Sequence, residues 1–304
     1  MLSFIIRRLL LIVPMALIVI TLTWGLIRIA PGNFYSAEKR LPAAVEENIR
    51  KKYGLDKPWY QQYGMMMWNI VRLDFGDSLK YEGQSVNEIL RRHFPYSATI
   101  GLLAYGLALI VGLSAGIIAS LKQNSIFDYA SMSFAMLGLS VPSFVLGPIL
   151  AMIFSLWLFW LPPARWSLTG LVLPVITLAA LYAAYIARLT RAGMLEVMRS
   201  DYIRTARAKG LDEKTVLLRH AIRGGLIPVV SFTGPALAAL LAGTIVVEKI
   251  FAIPGLGNIF IQSVFNRDEP LTLGIVAFLS IMIMLFNLVV DISYGFLDPR
   301  IRYE

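Results

Sequence analysis

Six long apolar runs alternate with polar segments along the chain, at about residues 9–27, 97–121, 131–161, 171–194, 226–250 and 271–296. The runs hold few charged residues and lack the regular polar positions that would give a helix one hydrophilic face. Helices of about 18 or more such residues match the roughly 30 Å hydrocarbon layer of a bilayer. The pattern therefore predicts an all-α integral membrane protein with about six transmembrane helices.

The segment 31–95 breaks this pattern, because charged residues are mixed there with aromatic and methionine side chains. We expect a helical insertion outside the membrane, between the first and second spans. The predicted organisation is an amino-terminal end with the first span at 1–30, the insertion at 31–95, and a five-helix transmembrane core at 96–304. No small-x-small cleavage site follows the first run, which is longer than the apolar part of a typical signal peptide, so we expect an uncleaved span.

Basic residues concentrate in the connection at about 199–224, which contains Arg199, Arg204, Arg207, Lys209, Lys214, Arg219 and Arg223. Short loops rich in arginine and lysine face the cytoplasm. Counting alternately from this loop places both termini in the cytoplasm and the segment 31–95 outside. Long segments translocate largely regardless of their charge, so the basic residues of that insertion do not oppose the assignment.

The composition supports a lipid environment and excludes several classes of site. Hydrophobic residues make up 57% of the chain and charged residues 15%, against roughly 45–50% and 25% in soluble domains. In such a chain a formal charge of +9 indicates contact with membrane lipid at cytoplasmic loops, and we expect no nucleic-acid partner. The absence of cysteine excludes thiol chemistry, and neither His93 nor His220 has a second ligand at metal spacing, so we expect no metal and no cofactor in this chain.

The stretch 201–211 predicts a compact protrusion on the cytoplasmic side. Its residue types favour a short helix that Gly210 ends, and Asp212 can begin a second one. Small and basic side chains alternate along it, which suits close approach and hydrogen bonding by a partner protein. A basic amphipathic loop lying on anionic lipid is the alternative. The candidate docking residues are Tyr202, Arg204, Thr205, Ala206, Arg207, Ala208, Lys209, Gly210 and Leu211.

The stretch 201–210, followed by His220, Ala221 and Pro228, and five further motifs in a fixed order carry a resemblance to a known family. The five are Arg7 and Arg8 followed by the first span, Pro31-Gly32-Asn33, the stretch 74–78 (DFGDS), the stretch 248–257 (EKIFAIPGLG), and the terminal 298–302 (DPRIR). The stretch 201–210 resembles the EAA-type cytoplasmic loop of binding-protein-dependent ABC permeases, in the form of oligopeptide and dipeptide permease B subunits. Arg204 and Thr205 stand where glutamate and alanine are usual, which puts a glutamate-based docking contact in doubt. The resemblance covers nearly the whole chain.

The resemblance implies a type I ABC importer permease in the bacterial inner (plasma) membrane that translocates peptides, oligopeptides in particular. Its implied partners are a homologous second permease in a heterodimer, two cytoplasmic ATPases that hold ATP and Mg²⁺, and an extracytoplasmic solute-binding protein. The chain contains no Gly-Lys pair and so lacks the phosphate-binding loop with its lysine. ATP hydrolysis is therefore expected on the other subunits, and the chain itself is not expected to be an enzyme.

The fifth run carries small residues and prolines that suit a translocation pathway. Small side chains allow close helix approach or open a lumen, and proline weakens the helical hydrogen-bond ladder. Plain packing is the alternative, and it is the interpretation that we favour for Gly112 and Gly116 of the second span. The candidate pathway residues are Thr233, Gly234, Ala238, Ala242 and Gly243.

The end of the fifth run leads into a turn-rich loop that we interpret as an external gate or a contact for the binding protein. Its candidate residues are Glu248, Phe251, Pro254, Gly255 and Gly257. An ion pair between Glu248 and Lys249 at the interface, or snorkelling of their side chains, is the alternative. Arg188 and Arg191 of the fourth span are expected to snorkel towards the cytoplasm.

Two other functional classes are weaker. An ion-coupled secondary transporter needs charged or unwound sites near the bilayer midplane, and Asp291 is the one acid that we single out for that role. Its place near the cytoplasmic end of the last span favours capping or headgroup contact instead. A membrane-embedded enzyme would need a cluster of histidines or paired acids inside the spans, which the sequence lacks.

Overall fold

The computed structural model describes residues 2–29, 56–162, 166–241 and 245–297, together with residues 47, 51 and 54. The described residues form helices and turns, with one isolated bridge between Asp77 and Ser85. The longer helices are α1 (Leu2–Ile29), α2 (Trp59–Val71), α3 (Val86–Leu121), α4 (Ile126–Ser140), α5 (Ser143–Ala151, continued by a π-helical turn at Met152–Trp157) and α6 (Val172–Met198).

The second half of the chain alternates short and long helices. They are α7 (Asp201–Ala208), α8 (Glu213–Thr215, a π-helical turn at Val216–Ala221, and Ile222–Gly225), α9 (Ile227–Leu241), α10 (Ile245–Ile250), α11 (Leu256–Phe265) and α12 (Glu269–Leu297). The all-α fold expected from the apolar runs is confirmed.

Among the described residues, five stretches are long and apolar enough to cross a membrane. They are Ile5–Ile29, Val86–Leu121, Val172–Met198, Ile227–Ile250 and Glu269–Ile292. Helices α4 and α5 meet at 102° and make a sixth span if they are counted as one. We expected one continuous helix at 131–161, and this expectation is wrong because the helix is interrupted at Val141. Val141 is extended, with φ −96° and ψ 112°, since the following Pro142 disfavours helical geometry there. Helix α3 begins at Val86, and so it includes the last ten residues of the segment that we assigned to the insertion.

Helix α6 lies at the centre and packs most closely on α3. A Cβ atom added to Gly112 would lie 2.8 Å from the carbonyl oxygen of Ala183, and one added to Gly116 would lie 2.6 Å from that of Ala187. The predicted packing role of these two glycines is confirmed. Because the two backbones approach this closely, larger residues cannot replace the glycines without separating the helices.

Two ion pairs tie the outer helices to the core. Arg191 of α6 donates two hydrogen bonds of 2.7 Å to Asp128 of α4, whose side chain is only 3% exposed. The expectation that Arg191 snorkels is therefore wrong, because a buried carboxylate on the neighbouring helix holds its guanidinium. Asp291 of α12 pairs with Arg8 of α1 at 2.9 Å, so the acid that we singled out in the last span has a cationic partner.

Candidate functional site

The segment 201–225 forms an elbow, made of α7, a turn and α8. Gly210 has φ +81°, a left-handed conformation in which the chain reverses and which glycine adopts without strain. The carboxylate of Asp212 then accepts a 3.2 Å hydrogen bond from the backbone N–H of Thr215 and caps the second arm. Hydrogen bonds from the Thr215 side chain and backbone lower the pKa of Asp212. The predicted two-helix protrusion with a turn at Gly210 is thus present.

The inner face of the elbow packs on the end of α6. Ile203 and Ala206, three residues apart on one face of α7, are buried in a cluster with Met194, Val216 and Ala221. At the base of the elbow, a Cβ added to Gly193 would lie 2.3 Å from the carbonyl oxygen of Gly225. Backbone thus meets backbone there, and the elbow packs on α6 without a gap.

The outer face of the elbow is open to a partner. Ala206 has its side chain buried, whereas the other predicted docking residues are exposed, namely Tyr202, Arg204, Thr205, Arg207, Ala208, Lys209, Gly210 and Leu211. Arg207 donates to Glu213 at 2.7 Å across the turn, and Arg204 pairs with Asp201 within its own helix. These exposed pairs leave donors of both guanidinium groups free for a carboxylate or carbonyl of a docking protein.

At the opposite end of the bundle, Glu248 is 2% exposed and turns into the protein. It accepts hydrogen bonds from the hydroxyl of Ser97 at 2.7 Å and from the backbone N–H of Asn258 at 3.1 Å. The same Ser97 oxygen accepts a bond from the N–H of Leu256. For Glu248 the alternative of an interfacial ion pair with Lys249 or of snorkelling is therefore wrong, since donors from α3 and α11 bind this carboxylate.

Two of the other predicted gate residues, Gly255 and Gly257, lie against the Glu248 side chain. A Cβ added to Gly255 would lie 2.4 Å from the Glu248 carboxyl carbon, and one added to Gly257 would lie 3.0 Å from its oxygen. Phe251 is 1% exposed in the main core, and the carbonyl oxygen of Pro254 is 2.7 Å from Nδ1 of His93. The two glycines thus leave the space that the carboxylate occupies.

Asp268 is a second buried carboxylate at this end, and the sequence reasoning missed it. It is fully buried and accepts hydrogen bonds from the hydroxyl of Ser78 and from the backbone N–H groups of Leu79, Lys80 and Leu271. The residue is the N-cap of α12, a role that its position just before Glu269-Pro270 could have indicated. Asp268 thus ties the segment 74–85 to the segment 248–268, and we call these two segments together the cap region.

The predicted pathway residues lie between α9 and its neighbours. Thr233 accepts a 2.6 Å hydrogen bond from the hydroxyl of Tyr105, and a Cβ on Gly234 would lie 2.9 Å from Val290 of α12. Ala238 is 3% exposed, whereas Ala242 and Gly243 lie outside the described residues. The three described residues contact their own chain, and their part in a pathway stays a prediction.

Comparison with known proteins agrees with the family expected from the motifs. The profile of the family described as binding-protein-dependent transport system inner membrane component matches residues 89–303. The oligopeptide transport system permease protein OppB of Haemophilus influenzae is 43% identical over 306 residues, and that of Escherichia coli K12 is 44% identical, each covering 100% of both chains. The dipeptide permease DppB of Bacillus subtilis is 43% identical over 287 residues, 94% of this chain and 93% of its own.

Solved structures show the same fold at lower identity. An inward-facing methionine ABC transporter, MetNI, aligns with a TM-score of 0.57 and 17% identity, over 69% of this chain and 96% of its own. An amino acid ABC transporter aligns with a TM-score of 0.54 and 18% identity, over 69% of this chain and 94% of its own. The expected ABC importer permease fold is confirmed. The chain belongs to the family of inner membrane components of binding-protein-dependent transport systems, as a permease subunit.

Proposed function

We propose that this chain is one of two homologous permease subunits in an ATP-driven importer of peptides, oligopeptides in particular. The observation that carries the proposal is the identity of 43–44%, over the full length of both chains, with permeases named for oligopeptide transport. In this assignment both termini are cytoplasmic, two ATPase subunits hold ATP and Mg²⁺ at the elbow side, and a solute-binding protein delivers peptide at the cap region.

The elbow is the element through which the ATPases act. Its outer face offers Arg204, Arg207 and Lys209 next to the small side chains of Thr205 and Ala208. Its inner face and base are packed on α6 without space for an added methyl group at Gly193. A closing movement of the ATPases is therefore passed to a central helix of the bundle as a rigid displacement.

The cap region is the corresponding contact on the other side of the membrane. Glu248 and Asp268 join four separate stretches of chain there, so that the loop after α10, helix α11 and the segment 77–81 form one body. A binding protein that docks on one of these segments acts on all of them. Gly255 and Gly257 contribute by leaving room for the Glu248 carboxylate, because a larger residue at either position would overlap it.

The test is peptide uptake by the assembled transporter in proteoliposomes. The chain is co-expressed with its partner permease, the ATPases and the binding protein, and uptake of a labelled tetrapeptide is measured with and without ATP. We expect uptake to require ATP and to persist when ionophores remove all ion gradients. Uptake that follows an ion gradient without ATP would contradict the proposal and favour the secondary transporter.

A charge reversal on the elbow tests the docking surface within the same assay. Arg207→Glu is compared with Arg92→Glu, since both arginines are exposed and each pairs with a neighbouring glutamate, at 2.7 Å and 3.0 Å. Arg92 lies at the opposite end of the bundle. We expect Arg207→Glu to reduce ATP-dependent uptake about tenfold or more, as for loss of a charged interfacial contact, while Arg92→Glu keeps most of it. Equal uptake by both variants would contradict docking at the elbow.

A further inference from the structure

One strip of α6 remains partly exposed among the described residues. The other faces of this helix are occupied by α3, which meets Gly112 and Gly116, by α4, whose Gly138 lies against Ala180, and by α9 at Phe232. The exposed positions follow one another at intervals of three or four, so they share one face. They are Leu181, Tyr185, Arg188, Ala192 and Glu196.

Arg188 places a positive charge on this strip, within the membrane-spanning part of α6. It lies ten residues before the end of the helix at Met198, or about 15 Å along the axis at 1.5 Å per residue. Its guanidinium contacts the sulfur of Met136 at 3.1 Å, and no carboxylate of the described residues lies within ion-pair distance. Arg191, one turn further, donates two hydrogen bonds to the buried carboxylate of Asp128. Of the two arginines of this helix, Arg191 is therefore paired with a carboxylate, whereas Arg188 has no carboxylate of the described residues within reach.

A charge without a partner inside a span is costly in lipid, and such residues almost always face a water-filled cavity or a charged partner. Arg188 is exposed and pairs with no carboxylate of the described residues, so the first of these fits it. Tyr185, one turn earlier on the same strip, has its ring centroid 5.5 Å from Phe232, and Tyr182 extends the aromatic group at 6.2 Å. An arginine beside an aromatic wall binds carboxylates through its planar fork, and the rings offer flat surfaces to peptide planes and side chains.

We propose that the exposed strip of α6 lines the translocation pathway and that Arg188 binds the carboxylate of the passing peptide, with Tyr185 against the peptide chain. The inference rests on the proposed function, because it takes the substrate to be a peptide. It places the pathway on the open face between α4 and α9 and not on the buried small residues of α9. In this arrangement a free carboxylate that crosses the apolar bundle meets a fixed counter-charge on the way.

Water access to the strip is the first test, and a chain without cysteine makes it direct. Tyr185→Cys is compared with Ile110→Cys on α3, an apolar position that is 68% exposed and faces away from α6 contacts. Both are introduced into the assembled transporter in nanodiscs and treated with a water-soluble, membrane-impermeant thiol reagent. We expect modification at residue 185 and none at residue 110. Absence of modification at both positions would show that the strip faces lipid or is covered by a subunit, and would overturn the proposal.

Protection by peptide tests the carboxylate site itself. We expect a tripeptide with a free carboxylate to slow modification of Tyr185→Cys, and its carboxamide to need a concentration about tenfold higher, as for loss of one charge-assisted contact. In the Tyr185→Cys background, a second substitution of Arg188→Gln should make the acid and the carboxamide protect at equal concentrations. Arg188→Lys should keep part of the difference between the two concentrations. Arg199→Gln, at the exposed end of the same helix, serves as the charge-matched control and should preserve the difference.

The outcomes separate the two proposals. Equal protection by the acid and the amide, or an unchanged difference in Arg188→Gln, would overturn the carboxylate site while ATP-dependent uptake stays intact. A wild-type transporter that imports no peptide would refute the proposed function. The reaction at residue 185 would still show whether water reaches the strip.

Discussion

The elbow and the cap region use charged residues in opposite ways. On the elbow, the acidic and basic side chains of α7 and the following turn are exposed and pair with close neighbours in sequence. In the cap region, Glu248 and Asp268 are 2% and 0% exposed, and they accept hydrogen bonds from segments more than 150 residues away. Exposed ion pairs contribute little to stability. Removing either a buried carboxylate or its hydrogen-bond donors costs several kcal/mol, because the remaining partner is left buried and unpaired.

Because of this difference, we expect substitutions in the two regions to affect different properties, namely stability in one and transport in the other. The cap region is a cross-link, and its substitutions should first lower the stability of the fold. In the proposed function the outer face of the elbow is a contact surface for the ATPases, so its substitutions should lower transport in a protein that remains folded. The base of the elbow, where Gly193 meets Gly225, combines both roles.

The largest effect is expected from Asp268→Ala. The change leaves the hydroxyl of Ser78 and three backbone N–H groups without an acceptor in a fully buried site. We expect the purified transporter to lose about 4 kcal/mol of stability, seen as a lower thermal midpoint in detergent. Asp77→Ala, in the same segment but exposed, should change the midpoint little. Similar midpoints for the two variants would contradict the role of Asp268 as a cross-link.

Glu248→Ala should be next, with a loss of about 3 kcal/mol. Its removal leaves Ser97 and the N–H of Asn258 without their acceptor, and it opens a void beside Gly255. Glu248→Gln keeps the shape and one acceptor oxygen, so its midpoint should fall between those of Glu248→Ala and wild type. If the glutamine variant is as unstable as the alanine variant, the carboxylate charge itself is required.

Gly193→Ala is expected to cost about 2 kcal/mol, because the added methyl group would overlap the Gly225 carbonyl at 2.3 Å and separate the elbow from α6. ATP-dependent uptake should fall by more than this loss of stability explains. The matched control is Gly106→Ala on α3, where nothing lies within 4 Å of the added carbon. Alanine favours a helix by about 1 kcal/mol over glycine, so the control should be as stable as wild type or more so.

Arg207→Ala should change stability by only about 0.5 kcal/mol, since its pair with Glu213 is exposed. Uptake should nevertheless fall strongly. The thermal midpoint and the uptake rate are measured on the same preparation. A variant that is destabilised as much as Gly193→Ala would show that Arg207 holds the elbow together and does not serve a partner.

The smallest effect concerns pH and Asp212. Its pKa is lowered in the folded protein, so the stability from this cap is present above the usual aspartate pKa and is lost as the pH falls through the lowered value. Asn caps helices comparably and does not titrate. Amide exchange of the segment 213–221 in wild type and Asp212→Asn should therefore agree at neutral pH, and the wild type should exchange faster only below a pH of about 4. A difference that persists at neutral pH would indicate another role for the carboxylate.

Much of the local structure follows from patterns in the sequence. The apolar runs predicted the membrane helices because lipid requires about 20 consecutive apolar residues in each span. The turn at Gly210, the cap at Asp212 and the close contacts at Gly112 and Gly116 were predictable, since each depends on a few neighbouring residues. The resemblance of five ordered motifs was sufficient for the family.

Long-range pairs were beyond prediction because they depend on which helices become neighbours. Arg191 and Arg188 look alike in sequence, yet only the first meets a buried acid, Asp128, which lies 63 residues earlier. From the sequence, Glu248 could equally form an ion pair with Lys249. In the structure it accepts hydrogen bonds from Ser97 of α3 and Asn258 of α11 instead.

Hydropathy and short motifs are enough to establish that the chain crosses a membrane, that it belongs to a transport family and where its elbow turns. These properties arise from hydropathy over one span or from dihedral preferences within a few residues. The tertiary structure decided which charges are buried, which face of α7 is hidden and which strip of α6 remains open. The physical reason is that burial and pairing are set by contacts between helices, and the free energy of a charge depends on the donors and the water around it.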